Sequence, residues 1–285
     1  MKKEENIKLP TLDLEDIDQS FKNISNEFNF FNQRMIGIGI EFTNKMAGDL
    51  FSDKNKRFLY IRNSIQYRLN AIYFHFKLLL DIQKKYHNEI NKPPSDKDKS
   101  IDYLIKGSNQ QYAVFDSIVF HIVSLFDYIA CLINYSCGGK YESKIMWNGI
   151  VKTSFDSQNY LSNSKLKEIV QKWNNDFIDV LFNHRSDIIH YSMDSGNTSH
   201  VYDLDKGKQY LYFEAPYKFV RNFRELKKLS KENNIMINYS VDWLIRKTIQ
   251  AANDIVNGVS VFMEANRKIP KEKEIFRFRK PDEKL

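Results

Sequence analysis

Between Lys56 and Ile90 the chain sets Phe58, Ile61, Ile65, Leu69, Ile72, Phe76 and Leu79 three or four residues apart, with no proline or glycine between them. That is the α-helical period, and at about 1.5 Å per residue it predicts a helix about 50 Å long. A helix this long with one apolar stripe is stable only against other long apolar surfaces, so the rest of the chain must supply them.

It does. Ile17, Phe21, Ile24, Phe28, Phe31 and Met35 predict a first helix over 14–46, and Asp53 is the expected cap of the second. The run NKPPSDKDKS, 91–100, is a break. A third helix from about Asn109 carries Val114, Ile118, Ile122, Leu125, Ile129 and Leu132, widened by Phe115, Val119, Phe126 and Ala130 until little of its circumference is polar. Such a helix belongs at the centre. Cys137-Gly138-Gly139 is its expected glycine stop, followed by a loop that Trp147 anchors. The fourth helix, from about Ser164 to Tyr191, shows Leu166, Ile169, Val170, Trp173, Phe177, Val180 and Leu181. The period then changes: 200–214 reads as a hairpin around Asp205-Lys206-Gly207. A last helix, 241–266, carries Leu244, Ile245, Ile249, Ala252, Ile255, Val256, Val259 and Phe262.

The expected fold is all-α: an antiparallel bundle of long helices with a small β-hairpin inserted before the last one. Its expected organisation is a loose N-terminus over 1–12, long N-terminal helices over 13–92 packing on the bundle, a helical core over 100–266, and a basic flexible tail over 267–285.

Net charge is +7 and pI about 9.1, which suits a polyanionic partner, although lysines spread over a solvated surface give the same sum. The start MKKEEN lacks the apolar run of a secretory signal. The most apolar window, 114–135, is interrupted by Asp116, His121 and Asp127, so no membrane partner is expected. Cys131 and Cys137 stand six apart, a spacing that suits neither a helical chelate nor a CxxC pair. Free thiols in a cytoplasmic protein are the expectation.

Chemistry concentrates in FNHRSDIIHY, 182–191. His184, Asp187 and His190 are three apart, so a divalent-metal hydrolase would need further ligands from His75, His121, Asp81, Asp116 or Asp127. Arg185 and His190 instead suit RNA cleavage without metal or cofactor. Imidazole titrates near neutrality and can take a 2′-hydroxyl proton, while guanidinium offers a rigid donor fork to a phosphate gaining charge. Five residues apart, the two lie about 140° apart on an ideal helix. They serve one site if the helix bends or if a second copy contributes. His184 continues the apolar stripe and reads as an interior or interface histidine. Asp187 reads as a partner of Arg185 or of a lysine, or as the orienter of a histidine. His121 reads as buried and hydrogen-bonded. Arg185 and His190 can also simply be cations finishing a helix.

Arg185-Ser186-Asp187-Ile188-Ile189-His190 resembles the arginine, four-to-six residues, histidine motif of the HEPN superfamily, the higher eukaryote and prokaryote nucleotide-binding domains. The resemblance extends over the helices from 109 to 266. It implies a helical bundle, a metal-independent endoribonuclease leaving a 2′,3′-cyclic phosphate, and a homodimer whose motifs meet across the interface. Arg185 and His190 would be catalytic, with His184, Ser186, Asp187 and Tyr191 around them. A role in phage defence or a toxin–antitoxin system, with an antitoxin or defence-system partner, is implied by the same analogy. Ser186 departs from the Asn, Asp or His frequent at that position. Some members carry a modifiable tyrosine two residues after the histidine, but here Tyr191 follows directly and Ser192 takes that place. A non-catalytic module binding RNA, nucleotide or protein is the alternative.

Overall fold

The computed structural model describes residues 11–14, 17–91, 98–138, 145–190, 194–203 and 207–276. The fold is all-α with a small β insertion before the last helix. Helices α1 (Ile17–Phe42), α2 (Asp53–Ile90), α3 (Asp98–Ile133) and α9 (Ile237–Ala265) are the long ones. Between α3 and α9 come α4 (Trp147–Phe155), α5 (Lys165–Trp173), α6 (Asp179–His190), α7 (Tyr217–Asn222) and α8 (Arg224–Leu229).

Contacts divide the chain into two compact units. One gathers the described residues of Met1–Ser25, Ala71–Phe120 and Asp179–Lys247; the other gathers Asn26–Asn70, His121–Ile178 and the described part of Thr248–Leu285.

In the second unit α1 and α2 are antiparallel, with Phe42 stacked on Phe58 at 4.0 Å between ring centroids. Helices α2 and α3 are antiparallel as well: Arg68 meets His121, and the Tyr135 hydroxyl, just beyond α3, donates to the Lys54 carbonyl. By contrast α1 and α9 run parallel, joined by Arg34–Asn257 and by a hydrogen bond from Ser260 to Glu41. The helix over 165–190 is one run in which a π turn, Asn174–Ile178, separates α5 from α6. Trp147 is fully buried; its indole N–H donates to Asn174 Oδ1 at 2.9 Å, and its backbone N–H meets Asp127 Oδ1 at 3.0 Å. So Asp127, an acid in an apolar helix, caps α4.

Several local expectations need correction. Ser52, not Asp53, caps α2, its hydroxyl accepting from Asn55 N–H at 3.2 Å. The expected loop after α3 contains α4, and α3 starts at Asp98, within the expected break. The region expected as a flexible tail is docked as far as 276: Asn44 Oδ1 accepts the N–H groups of Ile275 and Phe276, and the Lys45 carbonyl those of Lys268 and Ile269. Thr11–Leu12, expected to be loose, form strand β1 in parallel with β4, Asn234–Ile235. The expectations for residues 1–10, for the prolines at 93 and 94, for Gly139, for the hairpin turn at Asp205-Lys206 and for the tail beyond 276 lie outside the described residues.

In the first unit the hairpin is present as β2 (Thr198–Asp203) and β3 (Lys208–Phe213), antiparallel, pairing Thr198 with Phe213 and Asp203 with Lys208. Leu211 and Phe213 alternate inward on β3, and Phe213 meets Tyr86 of α2 edge-on. Phe219 of α7 is the centre of an aromatic cluster, with Phe115, Phe223, Trp243 and the His184 ring all within 6.4 Å between centroids. By length and composition residues 104–138 would suffice to cross a membrane, yet 56% of the apolar window is buried inside the protein. It is a core helix.

Candidate functional site

Helix α6 carries the predicted site, and its apolar spacing decides which residues point inward. Leu181 and His184, three apart, are buried; Arg185, Ser186 and Asp187 are half-buried, and His190, the last helical residue, is exposed. Tyr191 lies outside the described residues.

His184 has no exposed surface, and neither ring nitrogen has a hydrogen-bond partner among the described residues. Its ring stands edge-on to Phe219 at 5.2 Å. Burial pushes its pKa down; the charges of Asp194 and Asp187 oppose that shift and Lys218 adds to it. A neutral imidazole with no route to solvent is a packing group, not an acid or base.

Arg185 is placed differently. Its guanidinium carbon lies 5.3 Å from the ring centroid of Phe120 on α3, and its Nε is buried without a partner. Among the described residues no carboxylate pairs with it. Asp187, two residues on, makes no ion pair or hydrogen bond among the described residues either, so the expected Arg185–Asp187 pair is not formed. One turn before Phe120 on α3 stands Asp116, whose carboxyl is pushed up to about 6 by burial first and then by the charge of Asp194. Asp194 is itself buried, and its two oxygens accept the N–H groups of Lys218 and Phe219, at 3.0 and 2.9 Å, capping α7. The Tyr112 hydroxyl accepts from Gly196 N–H at 2.9 Å and donates to the Glu214 carbonyl, fastening the segment that follows Asp194 to α3.

Helix α6 is unbroken α-helix from Asp179 to His190, so nothing bends it between Arg185 and His190. Their backbones are therefore about 7.5 Å apart along the axis and about 140° apart around it. One chain does not bring the pair onto one face.

The donors of the metal alternative do not gather. Among the described residues no three His, Cys, Asp or Glu side chains converge. His75 Nδ1 bonds the Ala71 carbonyl at 2.7 Å, and Asp127 is spent capping α4. His121 is half-buried and bonded to Arg68. Neither cysteine is in a disulfide; Cys131 donates to the Ile145 carbonyl at 3.3 Å, and burial pushes the Cys137 thiol up.

Sequence reasoning missed Phe120, the seat of Arg185. The signal was present: Phe120 is an apolar residue lying off the stripe of α3, and it is 36% exposed. Asp194 and Asp116 gave no comparable signal, because their meaning depends on contacts distant in sequence.

No family model, no curated protein and no solved structure matches the chain. The functional reading therefore rests on the site itself.

Proposed function

We propose that the protein is a HEPN-like, metal-independent endoribonuclease, with Arg185 and His190 as its catalytic residues and a second copy of the chain completing the site. The observation that carries this is the state of Arg185: a half-buried guanidinium stacked on Phe120, with no carboxylate to neutralise it among the described residues. Such a group is preorganised for an anion, and the transition state of phosphodiester cleavage supplies one. His190 takes the proton of a ribose 2′-hydroxyl; the 2′-oxygen bonds to phosphorus as the bond to the 5′-oxygen breaks. The departing oxygen takes a proton from imidazolium, leaving a 2′,3′-cyclic phosphate and a 5′-hydroxyl. Arg185 binds the phosphate oxygens throughout.

The roughly 140° between the two residues on α6 gives the second copy its role, since two chains can set the arginine of one beside the histidine of the other. A cytoplasmic location belongs to the same reading, because RNA is the substrate and neither cysteine is in a disulfide.

Purified protein is incubated with RNA in EDTA beside His190→Ala and Arg185→Ala. Cleavage that survives chelation and falls about 10²–10⁴-fold in either variant is the expected result. Equal cleavage by all three proteins, or none by the wild type, overturns the proposal. The separate faces of Arg185 and His190 favour one second reading, a non-catalytic RNA-binding module. Salt-sensitive RNA binding without product distinguishes it.

A further inference from the structure

Arg68, on α2, is held in place without an acid. Its Nη1 donates to His121 Nδ1 on α3 at 3.1 Å. Its guanidinium carbon lies 5.5 Å from the ring centroid of Tyr67 and 5.9 Å from that of Tyr128. All four residues belong to the second compact unit. Among the described residues no carboxylate pairs with Arg68. The sequence gives the reason. Residues 61–70 of α2 and 121–126 of α3 contain no Asp or Glu, and the next acid on α3, Asp127, caps α4. The guanidinium therefore carries an uncompensated charge while half-buried.

The contact with His121 settles a proton as well as a position. Guanidinium has donors only, so Nδ1 is the acceptor and the imidazole proton sits on Nε2. The histidine that orients Arg68 is thus neutral and takes away none of its charge. Of the other guanidinium nitrogens, Nε is buried without a partner and Nη2 makes no hydrogen bond among the described residues. Two ring faces and one imidazole fix the fork, which lowers the ordering cost of binding. None of the three supplies a negative charge. A fixed cationic fork with donors to spare selects an oxyanion, and its planar geometry matches phosphate. A phosphate monoester brings nearly two negative charges near neutral pH and three acceptor oxygens, more than a carboxylate has. Tyr67 is 65% exposed, so the ring beside the fork is open to a flat group carried by the same ligand.

We propose that Arg68 is the centre of a binding site for a phosphate group, taken either as free phosphate or as a small monoester whose ring stacks on Tyr67. His121 is its positioning residue. The inference does not rest on the α6 reading.

The test is a phosphorus NMR titration of the full chain carrying Arg185→Ala, which removes the α6 guanidinium, at constant ionic strength. Inorganic phosphate binds at about millimolar concentration, and phenyl phosphate about fivefold more tightly. Arg68→Gln weakens both about tenfold or more, and Arg68→Lys, which keeps the charge without the fork, recovers only part. His121→Phe weakens both about fivefold, and His121→Gln, which returns an acceptor to Arg68, restores them; this pair keeps the test decisive if Arg68→Gln does not fold. Tyr67→Ala removes the advantage of phenyl phosphate. Phenyl phosphate that binds no better than inorganic phosphate assigns the site to the free ion. No binding at about 10 mM, Arg68→Gln that binds like its parent, or acetate that binds as tightly as phosphate overturns the proposal. Loss of phosphate binding on Arg185→Ala alone also overturns it, because the anion is then held at α6. A failure here with RNA cleavage still abolished by His190→Ala leaves the α6 proposal standing.

Discussion

His184→Leu should make the protein more stable, and increasingly so as pH falls. The buried imidazole has two polar nitrogens unpartnered among the described residues, and an unmet buried polar group costs about 1–3 kcal/mol. Leucine removes that cost but forfeits the edge contact with Phe219, worth about 1 kcal/mol. The net gain at pH 8 is about 1 kcal/mol. The pH term comes from the depressed folded pKa. Above the unfolded value, about 6.5, neither state binds the proton, and the histidine contributes no pH dependence. As pH falls through 6.5 the unfolded chain is protonated and the folded one is not. Stability is therefore lost from 6.5 downward until the folded pKa is reached. At pH 5.5 the loss is at most about 1.4 kcal/mol, from RT ln(1 + 10).

Asp194 and Asp187 face the ring and reduce the loss, whereas Lys218 increases it. Thermal melts of wild type and variant at pH 8 and 5.5, at equal ionic strength, isolate the term as a difference of differences. At roughly 2–4 °C per kcal/mol the gap in Tm widens by up to about 5 °C at the lower pH. A gap that stays constant, or a variant less stable at both pH values, would refute the claim that this histidine is neutral and unpartnered. If the proposed nuclease activity is present, the variant should retain it in full, since His184 is placed outside the chemistry.

Asp116→Asn should act in the opposite pH direction. Its folded pKa of about 6 lies above the unfolded 3.8, so the charge is costly above pH 6 and the cost disappears as pH falls toward 3.8. The amide variant should gain about 1–3 kcal/mol at pH 8 and nothing near pH 3.8, read from urea midpoints. Gly48→Ala should cost about 2 kcal/mol: φ is +71°, and a Cβ would sit 2.7 Å from Ile269 Cδ1. Faster proteolysis at Lys271 or Lys273 would report release of the docked segment. Gly207→Ala is the control, with φ +61° but open space around it, and should cost about 1 kcal/mol with no such release.

The long helices were legible because they obey one rule: the residues spaced three and four apart on α2 and α3 are those that lie buried. What escaped has a physical reason in each case. The short helices α4, α7 and α8 span nine residues or fewer, too few for periodicity to stand out, and are fixed by distant caps such as Asp127 and Asp194. The π turns at Thr43–Ala47, Asn134–Gly138 and Asn174–Ile178 leave no mark in composition, since each is a local change of register within a helical run. The segment after α9 reads as a tail because it is charged; one buried side chain, Asn44, holds it by three hydrogen bonds. At the site the motif named Arg185 and His190, but not the ring beneath one of them.

That ring separates the functional reading of Arg185 from the bland one, in which both residues merely finish a helix as cations favoured by its dipole. The dipole's influence fades within the last turn. His190 stands in that turn, so its position is explained either way. Arg185 lies one turn earlier, where the dipole offers little, and its Nε has left solvent without gaining a partner. A cation–π contact with a partly exposed phenylalanine returns only about 0.5–2 kcal/mol. Taking one donor of a guanidinium out of water costs about as much or more. Packing therefore does not account for a half-buried arginine that an exposed rotamer would relieve. On the proposed reading, a phosphate meeting the terminal nitrogens of the guanidinium would supply the acceptor oxygens that no described carboxylate provides.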